Sequence, residues 1–137
     1  MADRPVRELD GARFDSLEGF FDEVERVLIP GARWGRNLDA FNDVLRGGFG
    51  TPEGGFTLRW RDAGRSREAL GHAETARWLE ARLPRVHPTN RADFEARLTE
   101  ARAGRGETLF DTLVAIVREH GPGGAEEGDA VHLELLD

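Results

Sequence analysis

Two carboxylates, Asp39 and Asp43, stand four residues apart in the stretch Gly35-Arg36-Asn37-Leu38-Asp39-Ala40-Phe41-Asn42-Asp43-Val44-Leu45-Arg46-Gly47. On a helix both point the same way, about 6 Å apart along the axis. Carboxylates on a rigid element can grip a cationic partner, hold a divalent cation together with Glu119, or work as an acid–base pair. They can also be no more than the solvated side of an amphipathic helix. Asp39 in the first turn would then favour the helix dipole, and Asp43 would pair with Arg46.

The elements that must position these groups are legible in the pattern. Asn37 suits the helix N-cap, and Gly47 suits a left-handed position just past its end. Leu38, Phe41 and Leu45 fall at i, i+3 and i+7 and make one buried face, leaving Asp39, Asn42, Asp43 and Arg46 on the other. Upstream, Val6–Leu9 alternates as a half-buried strand closed by Asp10-Gly11. Asp15-Ser16-Leu17-Glu18 resembles a capping box with Asp15 at the cap, and opens a helix that Pro30-Gly31 stops. Phe56–Trp60 and Val131–Leu135 read as two further strands. The helix Leu109–His120 is apolar over most of its circumference and must be well buried. Glu119 sits there at the negative end of the dipole, where a carboxylate costs roughly 0.3–1 kcal/mol. It reads either as a functional contact or as the partner of an arginine.

Between the second strand and the last helix, Arg65–Leu70 reads as a turn or more of helix. Thr75–Leu83 and a segment capped by Thr89 or Asn90, with Phe94, Leu98 and Ala101 on one face, predict a helical pair joined by Pro84-Arg85-Val86-His87-Pro88.

At 137 residues the chain is expected to form one domain able to bury its core without staples. Cysteine is absent, which excludes disulfides, thiolate metal sites and thiol catalysis. Met1–Pro5 lack the apolar run of a signal peptide and no segment approaches a membrane span, so a cytoplasmic location is expected. Residues 1–56 carry 7 basic and 11 acidic groups, residues 57–106 carry 11 and 7, and residues 107–137 carry 1 and 8. All the basic groups are arginine, a usage as compatible with a GC-rich genome as with any arginine chemistry. The two acidic ends would steer a basic protein and repel nucleic acid.

The pieces Leu9-Asp10-Gly11, Pro30-Gly31-Ala32-Arg33-Trp34-Gly35, Asn37–Arg46, Phe56–Arg61, Leu109–His120 and Val131–Leu136, in that order, resemble the barstar family of intracellular ribonuclease inhibitors. The resemblance covers about residues 5–71 and 107–137 and sets 72–106 apart as a helical insertion. It implies a single α/β domain with a small three-stranded parallel sheet flanked by helices, monomeric when free, without cofactor or metal. It also implies a partner, a small basic extracellular-type ribonuclease whose active site is occluded without chemistry. The family's inhibitory aspartates fall at Asp39 and Asp43, and a further acidic contact falls at Glu119. Arg33, Trp34, Asn42, Arg46 and Gly47 occupy the surrounding contact positions, several of them altered in type. Trp34 could touch the partner or anchor its own loop. Arg33 and Arg46 could select a relative bearing an acid nearby, or fold back on Asp39, Asp43, Asp22 or Glu23. The prototype pair of this family is itself the standard illustration of electrostatic steering.

Other classes of function find less support. The histidines His72, His87, His120 and His132 show no metal-ligand spacing, and neither a phosphate-binding glycine loop nor a nucleophile elbow is present, so no enzyme is expected. The arginines of 59–105 alternate with acids at helical spacing, which favours ion pairs over direct nucleic-acid binding. A barstar-like module whose inserted helices engage a non-nuclease protein is the alternative.

Overall fold

The computed structural model describes residues 4–137; residues 1–3, the beginning of the segment read as lacking an apolar leader, lie outside the described residues. Strand β1 (Val6–Asp10) leads through a 3-10 turn (Gly11–Arg13) to helix α1 (Leu17–Leu28) and helix α2 (Leu38–Arg46). Strand β2 (Phe56–Arg61) is followed by α3 (Ala63–Ala69), α4 (His72–Arg82), a 3-10 turn (Leu83–Arg85) and α5 (Pro88–Arg102). Helix α6 (Leu109–Glu119) and strand β3 (Val131–Leu135) complete the chain.

The sheet is parallel throughout, in the order β1-β2-β3, with Leu9 opposite Trp60 and Phe56 opposite Val131. Alternation along β2 sends Phe56, Leu58 and Trp60 into a core shared with Phe14, Phe20, Phe41, Phe110 and Leu113. Trp60 is fully buried, and its Nε1–H donates to Ser66 Oγ at 2.9 Å. Parallel sheets are usually covered on both faces. Here the second face carries charge instead: Arg59 pairs with Glu134 at 2.8 Å and Arg61 with Glu8 at 3.6 Å across neighbouring strands.

Two helix starts differ from the expected positions. Ser16, not Asp15, caps α1, with Gly19 N–H donating to its Oγ at 3.0 Å. Glu18 is therefore free of any capping box and turns to Arg77. Helix α5 begins at Pro88 with His87 as its cap rather than Thr89 or Asn90. Proline's fixed φ and missing N–H suit the first helical position, so the helix starts as soon as Pro88 allows.

The helical pair α4–α5 has a small core of its own in Leu79, Leu98 and Ala101, and it is bolted to the rest by polar clamps. Glu74 Oε2 accepts the Leu17 N–H at the start of α1 (2.8 Å), Arg77 pairs with Glu18 (2.7 Å), and Thr75 Oγ1 accepts the Leu109 N–H (2.8 Å). Burial pushes the Glu74 carboxyl up, but the Arg77 guanidinium and the Leu17 N–H more than reverse that and hold it below the usual range. Trp78 packs against both this small core and the main one. No helix among the described residues is long and apolar enough to cross a membrane.

Candidate functional site

Helix α2 forms where the sequence places it. Asn37 Oδ1 accepts the Ala40 N–H at 2.8 Å, and Gly47 ends the helix with φ 105° and ψ 178°. That conformation is nearly exclusive to glycine, and it differs from the left-handed helical geometry expected there. Phe41, Val44 and Leu45 are buried beneath the helix, with Leu38 half-buried at its edge.

Asp39 and Asp43 both face solvent one turn apart. Asn42 does not share their surroundings. Its Oδ1 points inward and accepts from His120 Nε2 at 2.7 Å. His120, the residue capping the C-terminus of α6, has no exposed surface, and its Nδ1 lies 2.7 Å from Asp129 Oδ2 and 3.2 Å from Glu126 Oε2. Glu126 is gripped at both oxygens by Arg46, which also bonds Asp43 Oδ1 at 2.9 Å. One connected network therefore runs from the buried interior to the exposed acidic ridge, joining α2 to the end of α6 and the 121–130 loop. The hydrogen bonds to Arg46 hold the Glu126 carboxyl below its usual value, and those to Glu126 raise the Arg46 guanidinium still further.

The remaining site residues fall nearby in different roles. Glu119 is exposed at the end of α6, where its Oε2 accepts the Ala125 N–H at 3.3 Å. It makes no ion pair with arginine among the described residues. Trp34 is half-buried and anchors its loop: its ring stands edge-on to Phe21 at 5.5 Å, and its Nε1–H donates to Glu25 Oε1 at 3.1 Å. Arg36, rather than Arg33, folds back on the first helix, pairing with Asp22 and Glu25. Arg33 is exposed and unpaired among the described residues. Phe49, just past the glycine turn, is 36% exposed beside the helix end.

Sequence reasoning did not find His120, Glu126 or Asp129. Their ligand atoms lie within 4.8 Å of one another, a spacing that could hold a cation. Arg46 already occupies both Glu126 oxygens, however, and Asp129 meets the His120 Nδ1, so the trio is satisfied by the protein itself. The one advance signal was a histidine closing an otherwise apolar helix beside a carboxylate. Histidine spacing alone does not reveal it, because the three residues are gathered by a loop reversal.

The sequence model of the family described as Barstar (barnase inhibitor) matches residues 4–99. The match runs through α4 and most of α5, segments read from the sequence as an insertion, and ends before α6 and β3. Comparison with curated proteins gives no match. With well over half of its length matched, and with an α/β fold built on three parallel strands, this chain belongs to the barstar family.

Proposed function

We propose that this protein inhibits a small basic guanyl-specific ribonuclease by seating α2 in the nuclease's active-site cleft, acting as a binding protein and not as a catalyst. The observation that carries the reading is the pair of exposed carboxylates, Asp39 and Asp43, on a helix whose inner side is locked by Phe41 and by the Asn42–His120 bond. A cleft built to stabilise a cleaving phosphodiester is lined with cations, and fixed carboxylates meet them through charge-assisted hydrogen bonds at little ordering cost. Asp43 is the centre of the contact, Asp39 supports it from one turn earlier, and Glu119 and Phe49 lie at its margin. Arg46 masks Asp43 in the free protein, so a cationic partner has to outcompete an internal guanidinium.

The test is a titration of the protein into a panel of small guanyl-specific ribonucleases, following RNA cleavage, with Asp43→Ala alongside. Stoichiometric inhibition is expected, weakened by the substitution at least about a hundredfold, the loss expected of a central interface residue. Inhibition of no nuclease in the panel would overturn the reading.

A further inference from the structure

The N-terminus of α2 does not border open solvent on every side. Asn37, Leu38 and Asp39 form one wall of a groove of about 230 Å³, and Trp78, Arg82 and Phe94 of the helical pair form the other. Trp78 and Phe94 are half-buried with ring centroids 6.5 Å apart, and the Arg82 guanidinium lies 5.1 Å from the Trp78 ring centre. Three arginines of the pair are committed to carboxylates, Arg77 to Glu18 and Glu74, Arg91 to Glu95 and Arg102 to Glu80. Arg97, whose guanidinium lies 5.2 Å from the Phe94 ring centre, has no such partner among the described residues, but it does not line the groove. Arg82 has no carboxylate partner among the described residues. Its guanidinium lies over the Trp78 ring, with no hydrogen bond from its donors among the described residues.

We infer that α4–α5 forms a second lip of the docking surface with Arg82 as its cation, and that its groove receives a loop of the same ribonuclease carrying a carboxylate beside an apolar side chain. This rests on the proposed engagement of α2. Charge identifies the occupant. Asp39 on one wall takes a cation from the cleft, and on the other wall Trp78 and Phe94 take an apolar side chain while Arg82 takes an acid. A guanidinium stacked on an aromatic ring is pre-organised for bidentate carboxylate recognition. The polar clamps from Glu74, Thr75 and Arg77 to the rest of the fold keep the lip in place before the partner arrives.

The sign of one charge reversal separates this from a uniformly basic partner. Against a purely basic surface, Arg82→Glu adds attraction and tightens binding; against a loop carrying an acid, it weakens binding. The experiment measures inhibition of the same ribonuclease panel by the unaltered protein, Arg82→Gln, Arg82→Glu and Asp43→Ala, with thermal unfolding of each. The expected result is weakening by about tenfold for Arg82→Glu and by less for Arg82→Gln, with unchanged melting temperatures. If Asp43→Ala weakens inhibition while Arg82→Glu leaves it unchanged or tightens it, the lip is overturned and the α2 reading stands. If the unaltered protein inhibits nothing, both fall. Self-association of the free protein that Arg82→Glu abolishes would assign the groove to a second copy and overturn the ribonuclease loop.

Discussion

His120 Nε2 lies 2.7 Å from Asn42 Oδ1, and that one bond pins the acidic helix to the end of α6. The histidine has no exposed surface and its other nitrogen meets Asp129. His120→Ala therefore leaves a cavity and strands two polar groups. A loss of about 2–5 kcal/mol is expected, read by urea unfolding. A loss under about 1 kcal/mol would mean that loop 121–130 collapses into the space and that the network contributes little.

Arg46 bridges Asp43 and Glu126 from an exposed position. Exposed ion pairs contribute little to stability, so Arg46→Ala is expected to leave the unfolding midpoint almost unchanged. Removing the mask should tighten inhibition of a basic ribonuclease and steepen its dependence on salt. Weaker inhibition would instead make Arg46 a direct contact to an acid on the partner.

The depressed carboxyls of Glu74 and Glu126 set the direction of the acid response. A carboxyl held lower in the folded protein than its ordinary 4.5 contributes stability that is fully present above that value. The contribution is lost as pH falls through the folded-state value. Stability is thus expected to fall below about pH 4.5. Glu74→Gln should cost about 1–3 kcal/mol at neutral pH and flatten that fall. Urea unfolding across pH checks both, and an identical acid limb in the variant would remove Glu74 from the account.

Gly47 has open space where a Cβ would stand, yet its φ of 105° is one that L side chains rarely adopt. Gly47→Ala is expected to cost about 1–3 kcal/mol through backbone strain alone, read by thermal unfolding. An unchanged midpoint would show that the 47–50 turn relaxes freely.

Local pattern sufficed where the deciding forces were local. The Asn37 cap, the buried spacing of Phe41 and Leu45, the alternation of β2 and the apolar surface of α6 each depend on residues within a turn or two. Asp15 was the wrong cap because Asp15 and Ser16 are both capping residues, and only the path of the chain from Phe14 to Leu17 into the core chooses between them.

The amino-acid sequence by itself determined the family, the element order and the two exposed carboxylates of α2, because periodicity and caps act through neighbours along the chain. Tertiary structure alone decided what stands around those carboxylates. Asn42 turns inward because His120 arrives from 78 positions away, Arg46 is saturated because the 121–130 loop brings Glu126 beside it, and Trp78 borders Asp39 because Glu74 and Arg77 fasten α4 to α1. Hydrogen bonds and ion pairs take whatever partner folding delivers within about 3 Å, and no spacing along the chain records that delivery.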